Sequence, residues 1–190
     1  QNQLASEFGY KPVTQEEIGQ IRKMTSREII KRSGVSIFKL PFILRKLKIE
    51  LNEQIHFLNF IKGVKDALLE LKERGYKLGI ITSNNRENVV GFLKNNYCPD
   101  LFDFIYSEAN LFGKSKVINK FLKQAKLKRK EIIYVGDETR DIEAAKKSQI
   151  KVIAVSWGFN DREILAEQEP DFLIEQPARL IAVIESLQKK

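Results

Sequence analysis

After Gly63 the sequence alternates short, dense apolar runs with amphipathic stretches, and this alternation constrains the fold more than any other feature. The runs fall at 76–82, 102–106, 131–135, 151–156 and 171–174. Between them, helical spacing predicts helices over 64–74, 85–95, 115–126, 140–148 and 177–188. Within several runs the apolar residues are nearly continuous: Ile80 and Ile81; Ile132, Ile133, Tyr134 and Val135; Val152, Ile153, Ala154 and Val155. A strand with one wet face alternates apolar and polar residues, whereas a strand covered on both faces need not. The pattern therefore predicts an α/β fold, a Rossmann-like parallel sheet with helices on both faces.

Before residue 60 the periodicity is helical from Leu4 to Ile61. Thr14-Gln15-Glu16-Glu17 and Thr25-Ser26-Arg27-Glu28 have the form of capping boxes, in which hydroxyl and carboxylate satisfy two orphan amides at a helix start. Leu40, Ile43, Leu44, Leu47 and Leu51 then form an amphipathic stripe, with Pro41 in the first turn, where proline is tolerated. The expected organisation is a small α-helical domain over 1–60 and an α/β core over 61–190. A chain of 190 residues with 43% apolar residues has the size of one domain with an insertion and can bury a core. No apolar run approaches the ~20 residues of a membrane span, and no signal-like segment opens the chain. The single cysteine, Cys98, cannot form an internal disulfide, which makes a cytoplasmic setting the default expectation. One histidine, His56, excludes any site built from several imidazoles and reads as a cap or hinge residue rather than a ligand.

The net charge of +8 is unevenly distributed: residues 111–130 hold 8 Lys and Arg and no acidic residue. Val117, Ile118, Phe121, Leu122 and Ala125 recur there at helical spacing, while Lys116, Lys120, Lys123, Lys126 and Lys128 point mostly elsewhere. This is a surface helix with a solvated basic face. Nucleic acid is the alternative ligand of such a stripe, but no interleaved aromatics or RNA-binding motif accompany it, and nucleic acid is not an expected partner.

In open parallel sheets ligands bind beyond the carboxyl ends of the strands, and polar residues cluster there. The first apolar run ends at Thr82-Ser83-Asn84-Asn85, hydrogen-bonding side chains directly before a helix, suited to phosphate or to simple capping. The third ends at Gly136-Asp137-Glu138-Thr139-Arg140-Asp141, where Asp137 and Asp141, four apart across a strand-to-helix turn, can face one space. Hard carboxylate oxygens in that number suit Mg²⁺. Between them Gly113-Lys114-Ser115 invites a P-loop reading, which fails because the required first glycine would fall at Glu108. What remains is a lysine, Lys114 or Lys116, near the same edge.

The order Thr/Ser at one strand end, then Lys, then Gly-Asp-x-x-x-Asp resembles the haloacid dehalogenase-like phosphatase superfamily, over essentially all of residues 63–190. The helical segment before residue 60 is similar to the α-helical cap of its phosphoglycolate phosphatase-like branch. The resemblance implies a Mg²⁺-dependent phosphatase acting on a small phosphorylated metabolite such as phosphoglycolate or a sugar phosphate. It implies phosphate binding by Thr82, Ser83, Asn84 and Lys114, catalytic roles for Thr82, Lys114 and Asp137, and metal ligation by Asp137 and Asp141.

The family's first motif, D-x-D-x-T/V, does not occur in residues 1–60. By resemblance its first aspartate is the nucleophile that forms an aspartyl-phosphate, and its strand is the middle of the sheet. Leaving that strand out would expose two interior strand edges. Gln1-Asn2-Gln3-Leu4-Ala5 reads as the middle of a helix, so the expectation is a native protein that extends upstream, with this 190-residue form inactive by itself. A non-catalytic phospho-ligand-binding or regulatory protein on the same fold is the alternative.

Overall fold

The computed structural model of the chain describes residues 13–107 and 113–188. The first part of the helical stretch expected from Leu4, and Leu111 and Phe112 before the basic helix, lie outside them. The chain begins with α1 (Gln15–Arg22) and α2 (Ser26–Ser33), both opened by the expected capping boxes. At Thr14 the Glu17 N–H donates to the threonine hydroxyl at 3.2 Å, and the Thr14 N–H donates to the Glu17 carboxylate at 2.9 Å. Next comes α3 (Leu40–Gln54), with Pro41 in its first turn and Ile43 of the predicted stripe buried. His56 lies exposed in the short turn that follows, and its carbonyl accepts a hydrogen bond from Asn95 at 2.7 Å.

The remainder alternates: α4 (Val64–Glu73), β1 (Gly79–Thr82), α5 (Arg86–Asn95), β2 (Phe104–Ser107), α6 (Lys114–Ala125), β3 (Ile133–Gly136), α7 (Thr139–Lys147), β4 (Lys151–Val155), α8 (Arg162–Ala166), β5 (Phe172–Ile174) and α9 (Leu180–Gln188). The five strands fall within a few residues of the expected runs. The five-residue α8 was not anticipated, because one turn is too short to display a helical period.

All strand pairs are parallel, but the strands form two groups, β1-β2 and β3-β4-β5. Among the described residues β1 and β3 do not pair. The helical layers nevertheless span both groups. On one face Ile81 of β1 packs against a cluster that includes Ile118 and Leu122 of α6, Ile142 and Ala145 of α7, and Val152 and Ala154 of β4. On the other, Leu71 of α4 joins Ile153 and Val155 of β4 and Ile181 and Ile184 of α9, with Tyr76 and Leu78 from the lead-in to β1 packed against them. Helices on both faces therefore agree with the sequence. The division leaves a mark on burial: Val152, Ile153 and Ala154 in β4 are 0% exposed, whereas Val135 in β3 is 40% exposed.

Two carboxylates fix the amino ends of the strands. Asp103, just before β2, accepts the Leu78 N–H at 2.8 Å and pairs with Lys72 at 2.8 Å. Asp171, before β5, accepts the Val152 N–H at 2.9 Å and pairs with Lys151 at 2.5 Å. The Lys72 hydrogen bond and then the Leu78 amide hold the Asp103 carboxyl below its ordinary value of 3.8. At Asp171 burial pushes upward, but the Lys151 and Val152 bonds outweigh it and the carboxyl is again lowered. A lowered carboxyl stabilises the fold above its unfolded-state value and loses that contribution as pH falls through the folded-state value. Asp103→Asn and Asp171→Asn should each reduce the steepness with which stability falls below about pH 4, measured by urea unfolding across that range.

Candidate active site

The site forms where β3 turns into α7. Gly136 ends the strand because a Cβ there would collide with the Asp141 side chain. Asp137 follows; its Oδ2 accepts the Phe159 N–H at 2.7 Å and its carbonyl accepts the Asn160 N–H at 3.0 Å. Gly158 makes that approach possible, since a Cβ there would run into the Asp137 carboxylate. The other Asp137 carboxylate oxygen has no partner among the described residues. Asp141, 2% exposed in the first turn of α7, accepts the Glu138 N–H at 3.2 Å through Oδ2 and forms an ion pair with Lys114 through Oδ1. The Tyr134 hydroxyl also donates to Oδ1, at 3.4 Å. Burial, then the adjacent Asp141 charge, pushes the Tyr134 phenol well above its ordinary range, so it remains a proton donor.

Carboxylate oxygens of Asp137, Glu138 and Asp141 all lie within 4.8 Å of one another. Three hard oxygen donors at that separation fit a Mg²⁺-sized cation, which takes one or two carboxylates and keeps waters for the rest of its shell. Glu138 is already engaged: Arg140 pairs with it at 2.6 Å and the Ser26 hydroxyl donates to it at 3.4 Å. Burial works against the Arg140 cation, but the Glu138 bond outweighs it and the guanidinium is held above its ordinary range. Asp141 is engaged as well, by Lys114, Tyr134 and the Glu138 N–H, so Asp137 keeps the open carboxylate oxygen of the cluster, and Glu138 faces the helical segment at Ser26.

Thr82, Ser83 and Asn84 stand at the carboxyl end of β1. The Thr82 hydroxyl accepts the Asn84 N–H at 3.0 Å, which leaves its proton to donate outward. The Asn84 side-chain oxygen accepts from the Asn85 N–H at 2.9 Å and from the Asn88 carboxamide at 3.0 Å. Asn85 is the N-cap of α5. The capping role is therefore carried by Asn85, and the turn is rigid. At the end of β2 the Ser107 hydroxyl donates to the Asn84 carbonyl at 2.5 Å. Among the described residues no hydrogen bond links this turn to the acidic cluster; the two groups occupy the ends of β1 and β3.

Of the two candidate lysines, Lys114 reaches the cluster, with 13% of its side chain exposed, while Lys116 is exposed on α6. On that helix Val117, Ile118 and Leu122 are buried and Lys116, Lys120 and Lys123 are exposed, as its spacing predicts. Trp157 packs on the α4/α9 face of the sheet, and Phe159 is exposed. Trp157-Gly158-Phe159 contributes a glycine gap and a backbone amide to the site, which the sequence reading missed. It also missed Asn160, which is 1% exposed and accepts the Thr139 N–H at 3.0 Å. The same carboxamide donates to the carbonyls of Arg22 at 2.9 Å and Met24 at 3.0 Å.

Comparison with known proteins bears on what this arrangement is for. The family profile described as haloacid dehalogenase-like hydrolase matches residues 1–155. The chain belongs to the haloacid dehalogenase-like hydrolases. It is similar to a phosphoglycolate phosphatase of Synechococcus elongatus, 33% identical over 189 residues, which span 100% of this chain and 89% of that protein. It also resembles the pyrophosphatase PpaX of Bacillus cereus, 28% identical over 129 residues, 66% of this chain and 60% of that one. Among solved structures, a haloacid dehalogenase-like hydrolase from Streptococcus pneumoniae superposes with a TM-score of 0.75 at 22% identity, covering 95% of this chain and 86% of that chain. CbbY from Rhodobacter sphaeroides, solved in complex with phosphate, superposes with a TM-score of 0.70 at 18% identity, covering 94% and 86%. At those identities the structural likeness carries the fold.

Lys114→Met should destabilise the protein by about 3 kcal/mol in urea unfolding, because it leaves the buried Asp141 carboxylate without its cation. The double variant Lys114→Met/Asp141→Asn should recover part of that loss.

Proposed function

We propose that the chain is part of a Mg²⁺-dependent phosphomonoesterase acting on a small phosphorylated metabolite, phosphoglycolate-like or a sugar phosphate. The observation that carries the reading is the juxtaposition of Asp137, Asp141 and Lys114 at the carboxyl end of a parallel strand. Family membership and the similarity to a phosphoglycolate phosphatase support it. Asp137 and Asp141 would hold the metal, which when bound neutralises charge that otherwise sets an anionic nucleophile against an anionic phosphate. The Thr82 hydroxyl, whose lone pair already accepts the Asn84 amide, donates its proton to a phosphoryl oxygen, with Ser83 and Asn84 beside it. Lys114 supplies positive charge to the transferring group.

The nucleophile in this reading is an aspartate on a further strand lying between β1 and β3, contributed by sequence upstream of Gln1. Its carboxylate oxygen bonds to phosphorus as the ester oxygen leaves, and water then hydrolyses the aspartyl-phosphate. The unpaired β1 and β3, clasped by common helical layers, support this placement. Residues 1–60 act as a cap over a core of residues 61–190, excluding water and selecting substrate size. Asn160 and the Ser26–Glu138 bond favour that assignment by joining the helical segment to the metal-side loop.

Hydrolysis of p-nitrophenyl phosphate and phosphoglycolate, with and without Mg²⁺, tests this in the 190-residue chain and in a form carrying the upstream residues. The expected result is activity in the longer form alone, lost by about 100-fold or more in Asp137→Asn. Full metal-dependent turnover in Asp137→Asn would sink the assignment. A second reading, a non-catalytic phospho-ligand-binding protein, draws on the fact that the first aspartate of the sequence is Asp66. A longer form that folds and binds phosphate and Mg²⁺ but turns over neither ester would favour it.

A further inference from the structure

Asn88, in the first turn of α5, is 0% exposed, and both of its side-chain N–H groups and its side-chain oxygen are engaged. Its Nδ2 donates to the Lys48 carbonyl at 2.9 Å and to the Asn84 Oδ1 at 3.0 Å, and its Oδ1 accepts from the Asn52 carboxamide at 2.6 Å. Lys48 and Asn52 are four residues apart on α3, so one turn of that helix grips both ends of the Asn88 side chain. The two ends of a carboxamide are nearly alike in shape, and its orientation is settled by the chemistry of its partners. The Lys48 carbonyl can only accept, so it is the Asn88 nitrogen that lies against Lys48 and Asn84.

The consequence falls on Asn84. Its side-chain oxygen takes hydrogen bonds from the Asn85 N–H at 2.9 Å and from Asn88, which together use both lone pairs of that oxygen. Its backbone is held too, the N–H by the Thr82 hydroxyl at 3.0 Å and the carbonyl by the Ser107 hydroxyl. Asn84 is half-buried, and its Nδ2 is open to solvent with no hydrogen-bond partner among the described residues. The terminal torsion of an unrestrained asparagine is soft and roughly two-fold, so such a side chain offers oxygen or nitrogen alike. An anion is attracted by the nitrogen's hydrogens and repelled by the oxygen. With the oxygen occupied, Asn84 presents N–H alone, two residues from the Thr82 hydroxyl that also donates.

We propose that Asn88 is a positioning residue that fixes the Asn84 carboxamide as an N–H donor to the bound phosphate and ties that donor to α3. The proposal rests on the reading of the Thr82–Asn84 turn as the phosphate site. A donor oriented in advance gives up no rotamer freedom when the anion binds, so its hydrogen bond is realised in full. Asn88 itself, wholly buried, acts through Asn84 alone.

Two measurements test it. Side-chain amide nitrogen relaxation of the 190-residue chain, with the Asn84 signal identified by its loss in Asn84→Ala, reads the positioning directly. The Asn84 carboxamide should be as ordered as rigid backbone, with an order parameter of about 0.85, and a carboxamide clearly more mobile than that overturns the proposal whatever the turn binds. Titration calorimetry of inorganic phosphate with Mg²⁺, in the form carrying the upstream residues, reads the consequence. Asn84→Ala, and Asn88→Asp, which exchanges the donating nitrogen for an acceptor of the same shape, should each weaken phosphate binding by about tenfold. Asn84→Ala/Asn88→Asp should bind no more weakly than Asn84→Ala. A merely structural Asn88 costs the same factor in both backgrounds; that result overturns the proposal, as does full affinity in Asn88→Asp. If Asn88→Asp does not fold, Asn52→Ala, at an exposed position, carries the same comparison with a loss of about threefold. An ordered Asn84 in a wild type that binds no phosphate would overturn the reading of the turn as the phosphate site and leave the orienting role of Asn88 supported.

Discussion

The site depends on one buried carboxylate. Asp141 binds the Lys114 ammonium, the Tyr134 hydroxyl and the Glu138 backbone amide, so it draws together the start of α6, the middle of β3 and the first turn of α7. A charged group at 2% exposure is tolerated only with such compensation. Its neighbours are shaped for it: Gly136 has no side chain because Asp141 occupies that space, and Gly158 does the same for Asp137. The acidic cluster is therefore set by packing as much as by charge. A carboxylate held in this way has one orientation, fixed by three partners from three elements.

The division of the strands is the second constraint. Helices α6 and α7 on one face and α4 and α9 on the other are common to both groups of strands, so their apolar faces hold β1 and β3 in one layered body without hydrogen bonds between those strands. Apolar burial is non-directional and survives the missing ladder, while backbone pairing does not. This accounts for the difference between β4, which is almost wholly buried, and β3, where Val135 stays open.

The sequence disclosed the parts of this arrangement that repeat with a period or cluster at a strand end. Continuous runs such as Val152 to Val155 announce a strand covered on both faces, and the fold agrees. Gly136 through Asp141 announced an acidic turn because both carboxylates lie close along the chain. The spacing around Lys114 and Lys116 could not choose between them. The choice depends on which flank of α6 faces α7, a tertiary fact. Asn88, Asn160 and Gly158 were invisible for the same reason: each acts on residues more than twenty positions away, and nothing in its local pattern separates it from an ordinary cap or turn residue. Helix α8 was missed because five residues do not complete a period that can be counted.

Asn88 and Asn160 also determine how the amino-terminal helices are joined to the rest. Asn88, 0% exposed, donates to the Lys48 carbonyl at 2.9 Å and accepts from Asn52 at 2.6 Å, while Asn160 holds the carbonyls of Arg22 and Met24. Both are carboxamides. Unlike the nearby Arg22–Asp161 ion pair at 2.7 Å, their hydrogen bonds carry no net charge, so neither dissolved salt nor proton concentration loosens them appreciably. The attachment is in this sense electrically silent: a change of pH or ionic strength that loosens the Arg22–Asp161 pair leaves these two joints as they were.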